Sequence, residues 1–161
     1  MNELLCEISS TVISGIILTL ILFIIHEYLL PQKNITGEWK STLKIENSAY
    51  NPYKGLTIEY KIHLLQKGKE IIGTGEKIKD ILPNGNEEEY IANKRVKISL
   101  NGYYERNYLR KSKVYLNISE FGLKRESSAS YFLTVKSNKR LEGNFTGTAA
   151  DSSGIILLEK I

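Results

Sequence analysis

Cysteine is nearly absent: the chain has one, Cys6, in 161 residues. That excludes a disulfide framework and a cysteine-built zinc module. The two histidines, His26 and His63, have no Cys or carboxylate at metal-ligand spacing, so no metal site is expected. Aspartate is scarce, with Asp80 and Asp151 far apart in the chain. Glu87, Glu88 and Glu89 read as a solvated loop rather than an acid–base pair. No P-loop, GxSxG or GxGxxG run occurs. A catalytic constellation is therefore missing, and the sequence reads as a non-enzyme without a cofactor.

Basic residues are missing from one place in particular. Of the 22 Lys and Arg none falls in residues 1–30, which hold Glu3, Glu7 and Glu27. The formal charge of +4 is thus −3 in that segment and +7 in the rest. Residues 8–25 carry no charge at all, and residues 12–25 are almost wholly aliphatic. A helix needs roughly 20 apolar residues to cross the hydrocarbon core. Residues 8–30 meet that length, with His26, Glu27 and Tyr28 as interface residues. Amphipathic periodicity is missing, which argues against a core helix. The basic n-region and A-x-A site of a signal peptide are missing too.

The sequence therefore predicts a tail over residues 1–7, a transmembrane helix over 8–30, a linker over 31–34 and a folded domain over 35–161. Lys33, Lys40 and Lys44 follow the helix and no Lys or Arg precedes it, so the positive-inside rule places that domain in the cytoplasm. The protein is then a single-pass membrane protein in contact with lipid. Thr11, Gly15 and Thr19 lie on one face of the helix at a spacing of four. Small residues at that spacing let helix backbones approach in lipid, so this is the candidate self-association face of a homo-oligomer.

The folded domain reads as all-β. Ile58, Tyr60, Ile62 and Leu64 alternate with Thr57, Glu59, Lys61 and His63. Val96, Ile98 and Leu100 repeat the pattern, as do Val114, Leu116 and Ile118, then Tyr131, Leu133 and Val135. Trp39, Leu43 and Ile45 share one phase. Period-two alternation with one wet face marks an antiparallel sheet. Turn signals at Lys67-Gly68-Lys69, Pro83-Asn84-Gly85-Asn86, residues 137–140 and 152–154 divide the runs. Strands are expected near 35–46, 56–66, 70–80, 91–108, 112–121, 129–137, 141–149 and 154–160, with a bend at Gly102. Some eight short antiparallel strands suggest a small up-and-down barrel, because closure removes edge strands. An interior of this size is either filled or holds one small ligand. Gly73 and Gly75 read as bulges or close packing.

Ten tyrosines against four phenylalanines suit an interior that both stacks and hydrogen-bonds. Tyr60 and Tyr131 fall on apolar phases. If the strand from 91 runs on unbroken, Tyr104 and Arg106 keep the phase of Leu100. Arg106 would then point inward. A buried guanidinium needs an anion, no in-phase acid is evident, and a ligand phosphate would supply one. The candidate ligand-binding residues are Tyr60, Thr74, Tyr104, Arg106 and Tyr131. The +7 domain lacks paired RRM or OB aromatics, so no nucleic-acid polymer is expected as a partner.

Three features occur in order: a hydrophobic N-terminal run, Ile35-Thr36-Gly37-Glu38-Trp39, and a β-only domain. That domain ends in Leu141-Glu142-Gly143-Asn144-Phe145-Thr146-Gly147-Thr148 and Asp151-Ser152-Ser153-Gly154. The Gly-x-Trp opening is similar to that of lipocalins. The whole arrangement resembles the membrane-anchored β-barrel effectors of bacterial cyclic-oligonucleotide antiphage signalling (CBASS). The resemblance implies a barrel that senses a cyclic dinucleotide from a partner nucleotidyltransferase. It also implies oligomerisation of the membrane segment, inner-membrane disruption and death of the infected cell. The family usually has two transmembrane helices, and this sequence shows one apolar run. The alternatives are a tethered lipocalin-like binder of a lipid or other apolar molecule, and a membrane scaffold for a partner protein.

Overall fold

A computed structural model describes residues 2–25, 33–107, 110–122 and 125–161; of residues 2–6, 9 and 93 the backbone alone is described. The chain divides into two units, Met1–Lys33 and Asn34–Ile161.

The first unit contains α1 (Asn2–Ile24), 23 residues long, or about 34 Å at 1.5 Å per residue. It starts earlier than the sequence suggested, and residues 2–7 are helical rather than a tail. Among the described residues no helix is long and apolar enough to cross a membrane. His26, Glu27, Tyr28 and the start of the expected linker lie outside the described residues. Three hydroxyls of α1 bond back to their own helix. Thr11 Oγ1 donates to the Glu7 carbonyl at 2.9 Å, Ser14 Oγ to that of Ser10 at 2.8 Å, and Thr19 Oγ1 to that of Gly15 at 2.8 Å. Polar side chains on an apolar helix are thereby satisfied without an outside partner.

The second unit is a closed antiparallel barrel. Its strands are β1 (Gly37–Asn47), β2 (Thr57–Lys67), β3 (Glu70–Ile81), β4 (Glu87–Glu89), β5 (Lys97–Glu105), β6 (Lys113–Phe121), β7 (Glu126–Ser137), β8 (Arg140–Gly147) and β9 (Ser152–Lys160). Each long strand pairs with the next in an up-and-down meander, and β9 returns to pair with β1. Eight strands close the barrel. β4 is a three-residue addition on the end of β3 that β5 leaves unpaired. Glu87, Glu88 and Glu89, expected as solvated loop, form β4. The strand expected over 91–108 is shorter: a 3-10 turn at Ala92–Lys94 precedes β5, which spans Lys97–Glu105.

The inward face matches the apolar phase. Trp39, Leu43, Ile45, Tyr60, Ile62, Leu64, Ile98, Leu100, Val114, Leu116, Ile118, Tyr131, Leu133 and Val135 are all buried in one core. β5 runs through Gly102 without a register shift, so no bulge lies there. The glycine serves close approach: a Cβ there would lie 1.9 Å from the Tyr115 carbonyl oxygen.

The two ends of the barrel differ. At the end where Asn34 begins the unit, Ile35 and Trp39 are fully buried, in one core with Leu64, Ile71, Tyr104, Val114 and Leu141. Trp39 Nε1 donates to the Ile35 carbonyl at 2.8 Å. Lys160 Nζ sits 5.6 Å from the Trp39 ring centroid and donates to the Thr36 carbonyl at 2.6 Å. Gly37 makes this strap possible, since its φ is +136° and a Cβ would meet Lys160 Cε at 2.7 Å. That end is plugged with side chains. The opposite end is open.

Candidate functional site

The open half of the barrel holds a cavity of 630 Å³, within the usual range of roughly 300–1,000 Å³ for a small-molecule site. Its walls are unlike. Leu43, Ile45, Leu56, Ile58, Ile118 and Phe145 give apolar surface, while Lys77, Asp80, Tyr90 and Glu120 give polar surface. Tyr60 and Tyr131 lie where the cavity meets the packed half.

The polar wall owes its form to one extra residue. Tyr60 pairs with Lys77 and Glu59 with Lys79, so Ile78 is a bulge in β3. Before the bulge, Ile71 and Lys77 share the inward phase. After it, Asp80 faces inward as well, while Ile78 is turned to solvent. Lys77 and Asp80 therefore both point into the barrel, and Lys77 Nζ lies 2.8 Å from Asp80 Oδ2. Tyr90 closes over them. Its backbone N–H donates to the Ile78 carbonyl at 2.8 Å, its phenol donates to Asp80 Oδ2 at 2.8 Å, and its ring centroid lies 4.6 Å from Lys77 Nζ.

On another wall, Tyr60 reaches Glu120. The phenol donates to Glu120 Oε2 at 2.6 Å. Tyr131 packs edge-on against Phe145, with centroids 6.3 Å apart. Burial pushes the Tyr60 and Tyr131 phenols well above their ordinary pKa, and the nearby Glu120 charge adds to it. Burial and the bond to Asp80 do the same for Tyr90. All three stay protonated and remain hydrogen-bond donors. At the mouth, Lys94 lies 3.6 Å from Glu88, and Arg125 also lines the opening. Among the described residues the lining carries three cations, Lys77, Lys94 and Arg125, against three carboxylates, Asp80, Glu88 and Glu120.

Of the expected ligand-binding residues, Tyr60 and Tyr131 line this cavity. The other three do not. Thr74 is exposed on the outer wall, in a shallow groove with His63 and Lys61. Tyr104 is inward and buried, but it belongs to the plugged end. Arg106 lies just past β5, at that same end and half-buried. The position of Arg106 removes it from the role of phosphate anchor in this cavity. Nor is an in-phase acid missing: Glu120 continues the phase of Val114, Leu116 and Ile118.

Sequence reasoning missed Lys77, Asp80, Tyr90 and Glu120. Two of them carried a usable signal. Glu120 and Lys77 fall on the inward phases of their strands. Asp80 is hidden by the bulge, and Tyr90 comes from a loop. Among the described residues no group of three or more His, Cys, Asp or Glu is placed to hold a metal.

The fold and cavity define a class: a closed antiparallel barrel plugged at one end, with one open, half-polar cavity. No family model matches the chain, and no curated protein is similar to it. Among solved structures, the barrel is similar to a redesigned beta barrel, b11L5F_LGL. The identity is 16%, the match covers 79% of this chain and 91% of that one, and the TM-score is 0.50. It is also similar to EF1p2_mFAP2b bound to DFHBI, at 12% identity, with 79% and 94% of the two chains covered and a TM-score of 0.51. At these identities the likeness is one of fold.

Proposed function

We propose that the barrel is a receptor for a cyclic dinucleotide. In this proposal the chain is a membrane-anchored effector of the antiphage signalling type that its sequence resembles. One observation carries it. Asp80–Lys77–Tyr90 and Tyr60–Glu120 share a 630 Å³ cavity with an apolar wall. A nucleobase has flat faces for the apolar wall and a hydrogen-bonding edge for the polar one. Lys94 and Arg125 at the mouth suit the phosphates of such a ligand. A lipid tail fits less well, because it offers no donor to Asp80 Oδ1, which has no hydrogen-bond partner among the described residues, and covers a wall of charged groups with hydrocarbon.

The helix supplies the output. The uncharged run of residues 8–25 is followed in sequence by His26, Glu27 and Tyr28 and then by Leu29 and Leu30. The hydroxyls of Thr11, Ser14 and Thr19 are satisfied within α1, which lowers the cost of placing them in lipid. Thr11, Gly15 and Thr19 are exposed on α1, and a Cβ at Gly15 would meet nothing within 4 Å. Ligand binding would favour associated helices through a higher affinity for the associated state. The inner membrane would then be disrupted and the infected cell would die.

The test is titration calorimetry of the full chain in detergent micelles. The panel is cyclic di-GMP, cyclic di-AMP, cyclic GMP–AMP and cyclic UMP–AMP. Saturable one-to-one binding of a panel member supports the proposal. Silence across the panel, with β circular dichroism intact, refutes it.

A further inference from the structure

Asp80 carries an acceptor that the protein's own bonds leave unused. The residue is 9% exposed. Lys77 and Tyr90 both approach Oδ2, each at 2.8 Å. Oδ1 is buried and has no hydrogen-bond partner among the described residues. A buried carboxylate oxygen without a donor is unfavourable, and one oxygen suffices to compensate Lys77. The bulge at Ile78 is what turns Asp80 inward. Regular alternation would have left it in solvent. The strand therefore breaks its register at the residue that holds an unpaired acceptor within the cavity wall. Ser41 Oγ is a second buried oxygen without a partner, but Ser41 does not line the cavity.

Lys77 stands beside this acceptor with three N–H donors to distribute. A donor next to an acceptor complements an edge on which an acceptor lies next to an N–H. Nucleobases have such edges: the lactam of guanine or uracil, the amidine of adenine. Ionised phosphate and alkyl groups offer no donor; a ribose hydroxyl offers an O–H, and methylation of the base, which leaves that hydroxyl intact, distinguishes the two. We infer that Asp80 Oδ1 receives an edge N–H of the ligand's base, with Lys77 facing the adjacent acceptor, and that this pair sets which ligands the cavity accepts. The inference rests on the cyclic-dinucleotide proposal above and adds to it the atom that reads the base.

The experiment uses the full chain in detergent and the tightest member of the calorimetric panel. That ligand is compared with its base-methylated form: N1-methylguanine, N6,N6-dimethyladenine or N3-methyluracil, as the base requires. Methylation is expected to weaken binding about tenfold or more, the usual penalty for losing a bond to a charged group. Asp80→Asn keeps an oxygen for Lys77 and Tyr90 but places an amide N–H at the unpaired position. It is expected to lose about tenfold or more for the unmethylated ligand and to narrow the gap between the two ligands. Equal binding of the methylated and unmethylated ligands to the unsubstituted chain overturns the inference. So does unchanged binding by a folded Asp80→Asn. Either result leaves the cavity as a cyclic-dinucleotide site. If Asp80→Asn does not fold, the methylated ligand alone decides. Failure of the whole panel to bind refutes both proposals at once.

Discussion

Tyr60 and Glu120 meet inside the barrel, the phenol of one donating to Oε2 of the other at 2.6 Å. Their strands are not neighbours: β3 and β5 lie between β2 and β6. The bond thus spans the interior and ties two walls together. Replacing either partner leaves the other unsatisfied. Tyr60→Phe is expected to cost about 1–3 kcal/mol. A cycle of Tyr60→Phe and Glu120→Leu, followed by urea unfolding, should show coupling of about 1 kcal/mol or more. Additive single effects would mean that the bond does not form in solution.

The same tyrosines set a response to alkali. Tyr60, Tyr131 and Tyr90 all have raised pKa values, mainly through burial. In the unfolded chain each ionises near ~10. Above that pH the unfolded state has lost protons that the folded state keeps, so stability falls as pH rises. Unfolding free energy from urea melts should be flat from neutral pH to about 10 and then fall, by up to ~1.4 kcal/mol per pH unit for each tyrosine. Tyr131→Phe should make that drop shallower. An equally steep drop in the variant would place Tyr131 outside the buried set.

Trp39 plugs the end opposite the cavity. Trp39→Ala should cost about 3–5 kcal/mol, the range for an aromatic lost from a core. If the variant still folds, ligand affinity should change little, because the cavity lining does not include Trp39. Calorimetry beside a urea melt separates the two effects. Loss of affinity at full occupancy of the folded state would contradict the division of the barrel into a packed half and an open half.

Gly15→Leu tests the output. The substitution fills the face shared with Thr11 and Thr19, and should abolish toxicity on ligand production while leaving calorimetric affinity unchanged. Loss of both, or of neither, would count against separate sensing and membrane roles.

Much of the barrel is legible in the sequence, because alternation is a property of single strands. β2, β6 and β7 announce their inward residues without reference to any neighbour. The site is less legible. Tyr60 and Tyr131 can be found from phase alone. Phase does not say which end of the barrel a residue occupies, so Tyr104 reads like Tyr131 until strand order and register are known. Thr74 could have been rejected, since it is out of phase with Ile71. Asp80 could not have been found, because no residue type marks the bulge at Ile78. Tyr90 enters from a segment with no periodicity, positioned by its backbone bond to Ile78.

The most direct test of the cavity as a ligand site is fluorine NMR on the chain labelled with 3-fluorotyrosine, titrated with the cyclic dinucleotide panel. Single Tyr→Phe variants assign the resonances. At saturation with the bound ligand, the signals of Tyr60, Tyr90 and Tyr131 should shift, while those of Tyr103 and Tyr115, stacked outside the barrel at 4.8 Å, should stay. Shifts confined to the outer tyrosines, or none at all from a folded chain, would contradict it.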